Sequence, residues 1–386
     1  MNLQAVFNRN HAIIEAASCN SNSLLTGKLG LVLYYFTLYQ AFEDEVYADR
    51  CIELLQEVMD TEEDDPAGLT GVNFANGTAG LGFILALLNK YGLTEIDLAA
   101  EFHDMDKGLA ETAMHFIINE DRNDYLHGAF GILHYFTMRG DEPIIKSYLS
   151  ALVEAVCQKV VKEEHGTWFR SFFSDPAEKA RIDTGLAHGN TGMLLILLEV
   201  LKAVPGEKLK QLTRDGISYL LQYQAPTPVE HSFFPMFINT ADKTDRLFSS
   251  RMAWCYGDTG ILLLLYKAAF QLGEPAWKEK ADQLAIQLLA RKMEESTMIS
   301  DSHFCHGSAG LAEIFQCLYR LTNNSMFQDA ARFHVSQTVT YLEKELANGY
   351  YNGKETDLLN GLPGINLSLL RFICGKELAW SHTLLL

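Results

Sequence analysis

Two hydrophobic patterns alternate along the chain. One is amphipathic. Tyr47–Met59, Ile144–Val161, Ala276–Met293 and Phe327–Leu346 place apolar residues at i, i+3 and i+4 with charge between them, as a helix with one buried face does. The other is apolar nearly all round and follows a glycine pair three residues apart, as suits a helix buried on every side. Such pairs lead an apolar run seven times: Gly27/Gly30, Gly77/Gly80, Gly128/Gly131, Gly189/Gly192, Gly257/Gly260, Gly307/Gly310 and Gly361/Gly364. The pair Gly68/Gly71 lacks the run and reads as a turn.

Successive copies lie 50, 51, 61, 68, 50 and 54 residues apart, room for two helices and their loops. Each repeat therefore predicts an amphipathic outer helix and an inner helix, with the glycines at the entry to the inner one. Seven such hairpins make about fourteen helices. No capping repeat is evident at either end, and the inner helices are too apolar for an exposed face. Both points favour an all-α fold, a closed α/α toroid forming one domain over 1–386. The two wide gaps predict irregular, aromatic-rich loop insertions near 165–183 and 226–248, before the fourth and fifth glycine pairs.

Composition narrows the function. Forty-eight per cent of the 386 residues are apolar, enough for a large core, and 31 basic against 49 acidic residues give a net charge of −18. That charge argues against a nucleic-acid partner and leaves room for a peptide or uncharged substrate. No GxxxxGK[ST] loop calls for a nucleotide. No secretory signal is visible, and runs such as Ile261–Tyr266 are too short to span a bilayer, so a soluble cytoplasmic protein is expected. Nothing indicates an obligate oligomer, and a monomer is expected. Seven cysteines without framework spacing suit a reducing compartment.

Matching positions of the repeats carry the candidate chemistry. Two before the first glycine stand Leu25, Ala75, Leu126, Ala187, Cys255, Cys305 and Leu359. One before it stand Thr26, Asn76, His127, His188, Tyr256, His306 and Asn360. Cys255, Cys305 and the adjoining His306 supply two thiolates and an imidazole, a donor set that suits Zn²⁺. Three protein ligands leave a fourth position open, as in catalytic zinc sites. Cys305 and His306 can share a metal only from a turn before the helix, because helical neighbours diverge by about 100°. Cys19, Cys51, Cys157, Cys317 and Cys374 read as core thiols. His188 could act as a general acid or base, or cap a neighbouring loop. Arg251, four before Cys255, could hold a carboxylate, stabilise an oxyanion, or simply pair with Asp124, four before Gly128.

SRMAWCYGDTG (Ser250–Gly260), FCHGSAG (Phe304–Gly310) and GLAHGNTG (Gly185–Gly192) resemble the signature segments of the lanthionine synthetase C-like family. The resemblance extends over essentially the whole chain. It implies an α/α toroid with one zinc held by Cys255, Cys305 and His306. It also implies active-site roles for His188, Asp124, Arg251 and Tyr256. The tyrosine after Cys255 resembles the bacterial lanthipeptide cyclases. His127 stands where the family carries another residue, leaving a second acid/base and a polar lining residue both open. The implied reaction adds cysteine thiols of a dehydrated precursor peptide, leader plus core, to dehydroalanine or dehydrobutyrine. The product is a lanthionine or methyllanthionine thioether. Implied partners are a dehydratase and an exporter, and through that complex a membrane association. Three readings compete: addition of glutathione or another small thiol, a prenyltransferase-like toroid, and a non-catalytic peptide-binding scaffold with structural zinc.

Overall fold

A computed structural model describes residues 2–62, 65–140, 142–171, 180–248 and 251–386. In chain order the helices are α1 Leu3–Ala16, α2 Lys28–Phe42, α3 Glu45–Met59, α4 Thr78–Lys90, α5 Leu98–Glu101, α6 His103–His115, α7 Ala129–Arg139 and α8 Pro143–Lys159. After them come α9 Asn190–Ala203, α10 Glu207–Leu221, α11 Asp258–Leu272, α12 Pro275–Ala290, α13 Glu294–Thr297, α14 Ser308–Thr322, α15 Ser325–Ala347 and α16 Leu362–Cys374. The chain forms two compact units. One comprises Met1–Gly71, Ala75–Thr94 and Ile299–Leu386; the other comprises Val72–Phe74 and Glu95–Met298.

Each repeat glycine caps a helix. Gly27, Gly77, Gly128, Gly189, Gly257, Gly307 and Gly361 are the N-caps of α2, α4, α7, α9, α11, α14 and α16. These helices are buried nearly all round: of α9 only Glu199, Lys202 and Ala203 escape full burial. Each leucine so enclosed contributes about 1.5–3 kcal/mol. The amphipathic helices lie where their periodicity puts them. In α3, Ala48, Cys51, Leu54, Leu55 and Val58 form the buried stripe.

In the first unit α2 packs on α3 and on α4, α14 on α15, and α16 on α1, α2 and α14. In the second, α7 packs on α6, α8 and α9, while α9 packs on α10 and α11, and α11 on α12. The glycine-led helices thus contact their successors within each unit, and their partners cover them. A buried polar contact helps fix α1, α2 and α16: Asn366 accepts from Asn10 Nδ2 at 2.9 Å, and its own Nδ2 donates to Tyr34 Oη at 3.1 Å.

A backbone link joins the turns ahead of these helices. The Ala75 carbonyl accepts from the amides of Leu24 and Leu25, at 3.0 and 3.3 Å. The Cys255 carbonyl accepts from Leu186 and Ala187 at 2.9 and 3.1 Å, and that of Leu359 from Phe304 and Cys305 at 3.1 and 3.0 Å. In each case the acceptor stands two before its own glycine. The donors stand three and two before the glycine of the preceding repeat. Leu358 N donates to Leu25 O at 2.8 Å, so the last repeat joins the first in the same register.

The two segments expected as irregular loops carry strands. β1 Val161–Glu163 pairs antiparallel with β2 Gly166–Trp168. β3 Arg181–Asp183, β4 Phe237–Asn239 and β5 Arg246–Leu247 form an antiparallel sheet in that order. Ile182 and Ile238 pack with Trp168, Tyr219 and Tyr223 in a small core of their own. These strands are too short for alternation to mark them in sequence. Residues 172–179 of the first segment lie outside the described residues, as does Ser250 of the SRMAWCYGDTG segment.

Close approach explains Gly27, Gly128, Gly189, Gly307 and Gly361, where a Cβ would meet a neighbour under 3 Å away. A Cβ on Gly128 would lie 2.4 Å from Arg122 O and 2.6 Å from Asp124 N. Gly108, inside α6, would meet nothing within 4 Å. Gly128→Ala is therefore expected to cost about 1–3 kcal/mol or more by overpacking. Gly108→Ala should gain about 0.5–1 kcal/mol from helix propensity. Urea unfolding of both variants beside the wild type checks the pair; equal effects would contradict the steric account.

Candidate active site and metal-ligating residues

In the second unit, a π-helical turn, Phe116–Glu120, ends α6 and leads through a left-handed Asp121 into the turn before α7. That turn carries Asp124 and His127. Asp124 is fully buried. Its Oδ1 accepts from the His127 amide at 2.6 Å, and its Oδ2 lies 2.8 Å from His188 Nδ1. The carboxylate thus shapes its own turn and aims the imidazole of the next. The His127 and His188 rings stack 5.8 Å apart at 8°.

The two histidines hold matching repeat positions yet titrate in opposite directions. Burial dominates at His127 and lowers its pKa, with Asp124 opposing and His188 and Arg122 assisting. Burial also pulls His188 down, but the Asp124 hydrogen bond and charge, with Asp183 and Cys255, outweigh it and raise the pKa. His188 is thus the one whose protonated form the surroundings favour.

Asp183 is a member of this cluster that the glycine-adjacent positions do not reveal. Strand β3 pairs it with Phe237 on β4. Its Oδ2 accepts from Tyr256 Oη at 2.7 Å and its Oδ1 from the Gly185 amide at 2.7 Å. Burial raises its pKa to about 6 against those hydrogen bonds. Tyr256 is pushed up by burial and by Asp183, so it stays a neutral donor. Phe237 packs on the Tyr256 ring at 5.8 Å. A Cβ on Gly185 would lie 2.6 Å from that ring, so the AHG turn and the Cys255–Tyr256 turn interlock. The 226–248 segment is tied to α11: Asp258, buried and raised by that burial to about 6, accepts from the amides of Phe233 and Phe234 at 2.9 and 3.0 Å.

Cys255 is half-buried two residues before Gly257, whose φ of 101° is a conformation that glycine alone adopts easily. Arg251 is half-buried on the same segment. In the first unit, Cys305 and His306 are half-buried in the turn that precedes α14. This is the placement that adjoining residues need in order to share a metal. Among the described residues no disulfide occurs; Cys51, Cys157 and Cys317 are buried, and Cys19 and Cys374 half-buried.

Beside His306 the structure adds His303 and Asp301. His303 is 2 % exposed, and its Nδ1 lies 3.1 Å from His306 Nε2. Asp301 Oδ2 lies 3.8 Å from the same Nε2. The cluster rests on Ser302, whose amide donates to Glu345 at 3.0 Å and whose hydroxyl is 2.5 Å from Tyr351 Oη. Two groups could hold a metal, Asp124/His127/His188 and Asp301/His303/His306, with ligand atoms in each within 4.8 Å of one another. Sequence held a signal for the missed residues. Asp183 and Asp301 both stand six before their glycine, and Asp124 and His303 both stand four before theirs.

Among the described residues no helix is long and apolar enough to cross a membrane. The family model for lanthionine synthetase C-like proteins matches residues 18–385. The nisin biosynthesis protein NisC of Lactococcus lactis subsp. lactis is 25 % identical over 280 residues, which cover 68 % of this chain and 64 % of NisC. The glutathione S-transferase LANCL1 of Danio rerio is 25 % identical over 140 residues, 36 % of this chain and 31 % of that protein. A solved nisin cyclase structure superposes with a TM-score of 0.73 at 21 % identity, covering all of this chain and 96 % of the other. That likeness shows the fold, all-α and of the α/α toroid class that the repeats predict. The chain belongs to the lanthionine synthetase C-like family.

Proposed function

We propose that the chain is a zinc-dependent lanthipeptide cyclase, acting as a single domain. The observation that carries this reading is the buried Asp124 carboxylate holding His188 Nδ1 at 2.8 Å, on a turn hydrogen-bonded to the carbonyl of Cys255. An aimed imidazole with a raised pKa beside a cysteine-bearing turn suits a reaction that joins a thiol to an alkene and ends by protonating carbon.

Cys255, Cys305 and His306 are the residues that would hold zinc. The donor set fits: all three are half-buried in turns, and α11 and α14 start just beyond them, where the helix dipole favours thiolates. Zinc, when bound, lowers the pKa of a substrate thiol and presents it as a thiolate. His306 Nε2 faces His303 and Asp301, which orient the ring. His188 donates the proton taken up at the substrate α-carbon after the thiolate adds at the β-carbon. Asp124 sets the tautomer and charge of His188. Tyr256, braced by Asp183, and Arg251 position the substrate and stabilise the developing enolate oxygen. The substrate is a dehydrated precursor peptide; dehydratase and exporter contacts and a cytoplasmic setting belong to the same reading. His127, its pKa lowered by burial, serves as a lining residue against which His188 stacks.

Three outcomes are expected. Cys305→Ala loses bound zinc and cyclisation together, whereas His188→Ala keeps zinc and loses about 10²–10⁴-fold in ring closure, read by elemental mass spectrometry and by thiol alkylation of a dehydrated peptide. Cyclisation by His188→Ala at the wild-type rate would remove the proton donor from the account. With a peptide lacking cysteine, added glutathione should not react; efficient glutathione addition would move the chain to the small-thiol reading. In an NMR titration the His188 imidazole should titrate above 6.5, and Asp124→Asn should lower it, because burial then acts with less opposition. Since the folded-state pKa is raised, the pair's contribution to stability is complete below the unfolded value and fades as pH rises through the folded one. An unchanged titration in Asp124→Asn would contradict the pairing.

A further inference from the structure

A second polar site lies in the first unit, at the far end of the glycine-led helices. The C-terminal turns of α14 and α16 and the first turns of α15 enclose a solvent-connected cavity of about 380 Å³. Helix α14 runs from the Cys305–His306 turn to this cavity, fifteen residues and so roughly 22 Å. Arg320, Arg332, Arg371, Lys376, Gln316 and Glu377 line it. Four cations at one spot stand out in a chain of net charge −18, whose general field repels anions.

The four are not equally engaged. Arg371 is 4 % exposed and anchored, its Nε 2.8 Å from the buried carboxylate of Glu313. Lys376 donates to Glu43 at 2.7 Å. Arg320 lies 3.6 Å from both Glu313 and Glu377, beyond hydrogen-bond reach, and its buried Nη1 has no hydrogen-bond partner. Gln316 Oε1 is buried and equally unsatisfied. Arg332 is exposed at the rim and makes no ion pair among the described residues. A buried donor without a partner is costly, and an acceptor entering the cavity would satisfy it. Guanidinium forks match the planar oxygen pairs of carboxylates and phosphates. The volume sits at the lower end for small-molecule sites and suits a compact ligand.

We propose that this cavity binds a small anion bearing carboxylate or phosphate groups, held by Arg320 and Arg332 with Arg371 as the fixed back wall. The site is remote from the Cys305–His306 turn and independent of the cyclase reading. The test is isothermal titration calorimetry on the full chain with inorganic phosphate, pyrophosphate and citrate in separate runs. At least one should bind the wild type. Arg332→Gln, a surface change that leaves the fold intact, and Arg320→Gln should each weaken that binding about tenfold or more, with bound zinc unchanged. Binding of the phosphates alone assigns a phosphate ester, of citrate alone a polycarboxylate, and of both a site for either. No heat with any of the three in folded wild type, or binding that both variants retain at full strength, overturns the proposal.

Discussion

The carbonyl two residues before each helix-capping glycine governs this structure. At three repeats it accepts two amides from the preceding turn. The chain folds tightly back on itself at these turns: a Cβ on Gly361, the glycine that follows the Leu359 carbonyl, would lie 2.6 Å from Asp357 O. The missing side chain therefore does more than permit a turn. It keeps the hydrogen-bonded loops in register, and with them every side chain they carry. At the fifth repeat the carbonyl belongs to Cys255 itself, so the backbone that joins one turn to the next also fixes the backbone of that cysteine.

On that frame, environment separates residues that the repeat makes equivalent. His127 and His188 hold the same place in successive turns. Burial lowers the pKa of both. Asp124 accepts from the His127 amide with one oxygen and contacts the His188 ring with the other, and that hydrogen bond is the largest of the causes that raise His188. Asp183, placed by β3, adds charge on the same side. The result is one imidazole with a raised pKa beside one with a lowered pKa, an asymmetry built from a symmetric scaffold.

The buried helices were legible because their sequences are apolar on all sides and their starts are marked by glycine. Periodicity placed α3, α8, α12 and α15 within a few residues of their observed ends. The strands were not legible, since two or three residues cannot show alternation. Nor does the repeat pattern mark the division into two compact units, because the repeat is uniform across it. Among the candidate residues, Cys255, His188, Tyr256, Cys305 and His306 stand one or two before a glycine and could be compared by position. Asp183 and His303 lie further upstream, where the return of the chain brings them back, and proximity through a fold is invisible until the register six and four residues before the glycine is compared. Asp301 was hidden for the same reason.

The central claim is that two cysteines and a histidine, not the two aspartate–histidine clusters, hold the metal. X-ray absorption at the zinc edge of the loaded protein tests it most directly, because sulfur and oxygen or nitrogen neighbours scatter differently. Two sulfur ligands are expected, rising to three when a cysteine-containing dehydrated peptide is added. A shell of nitrogen and oxygen alone would place the metal on Asp124/His127/His188 or Asp301/His303/His306 and would contradict the account.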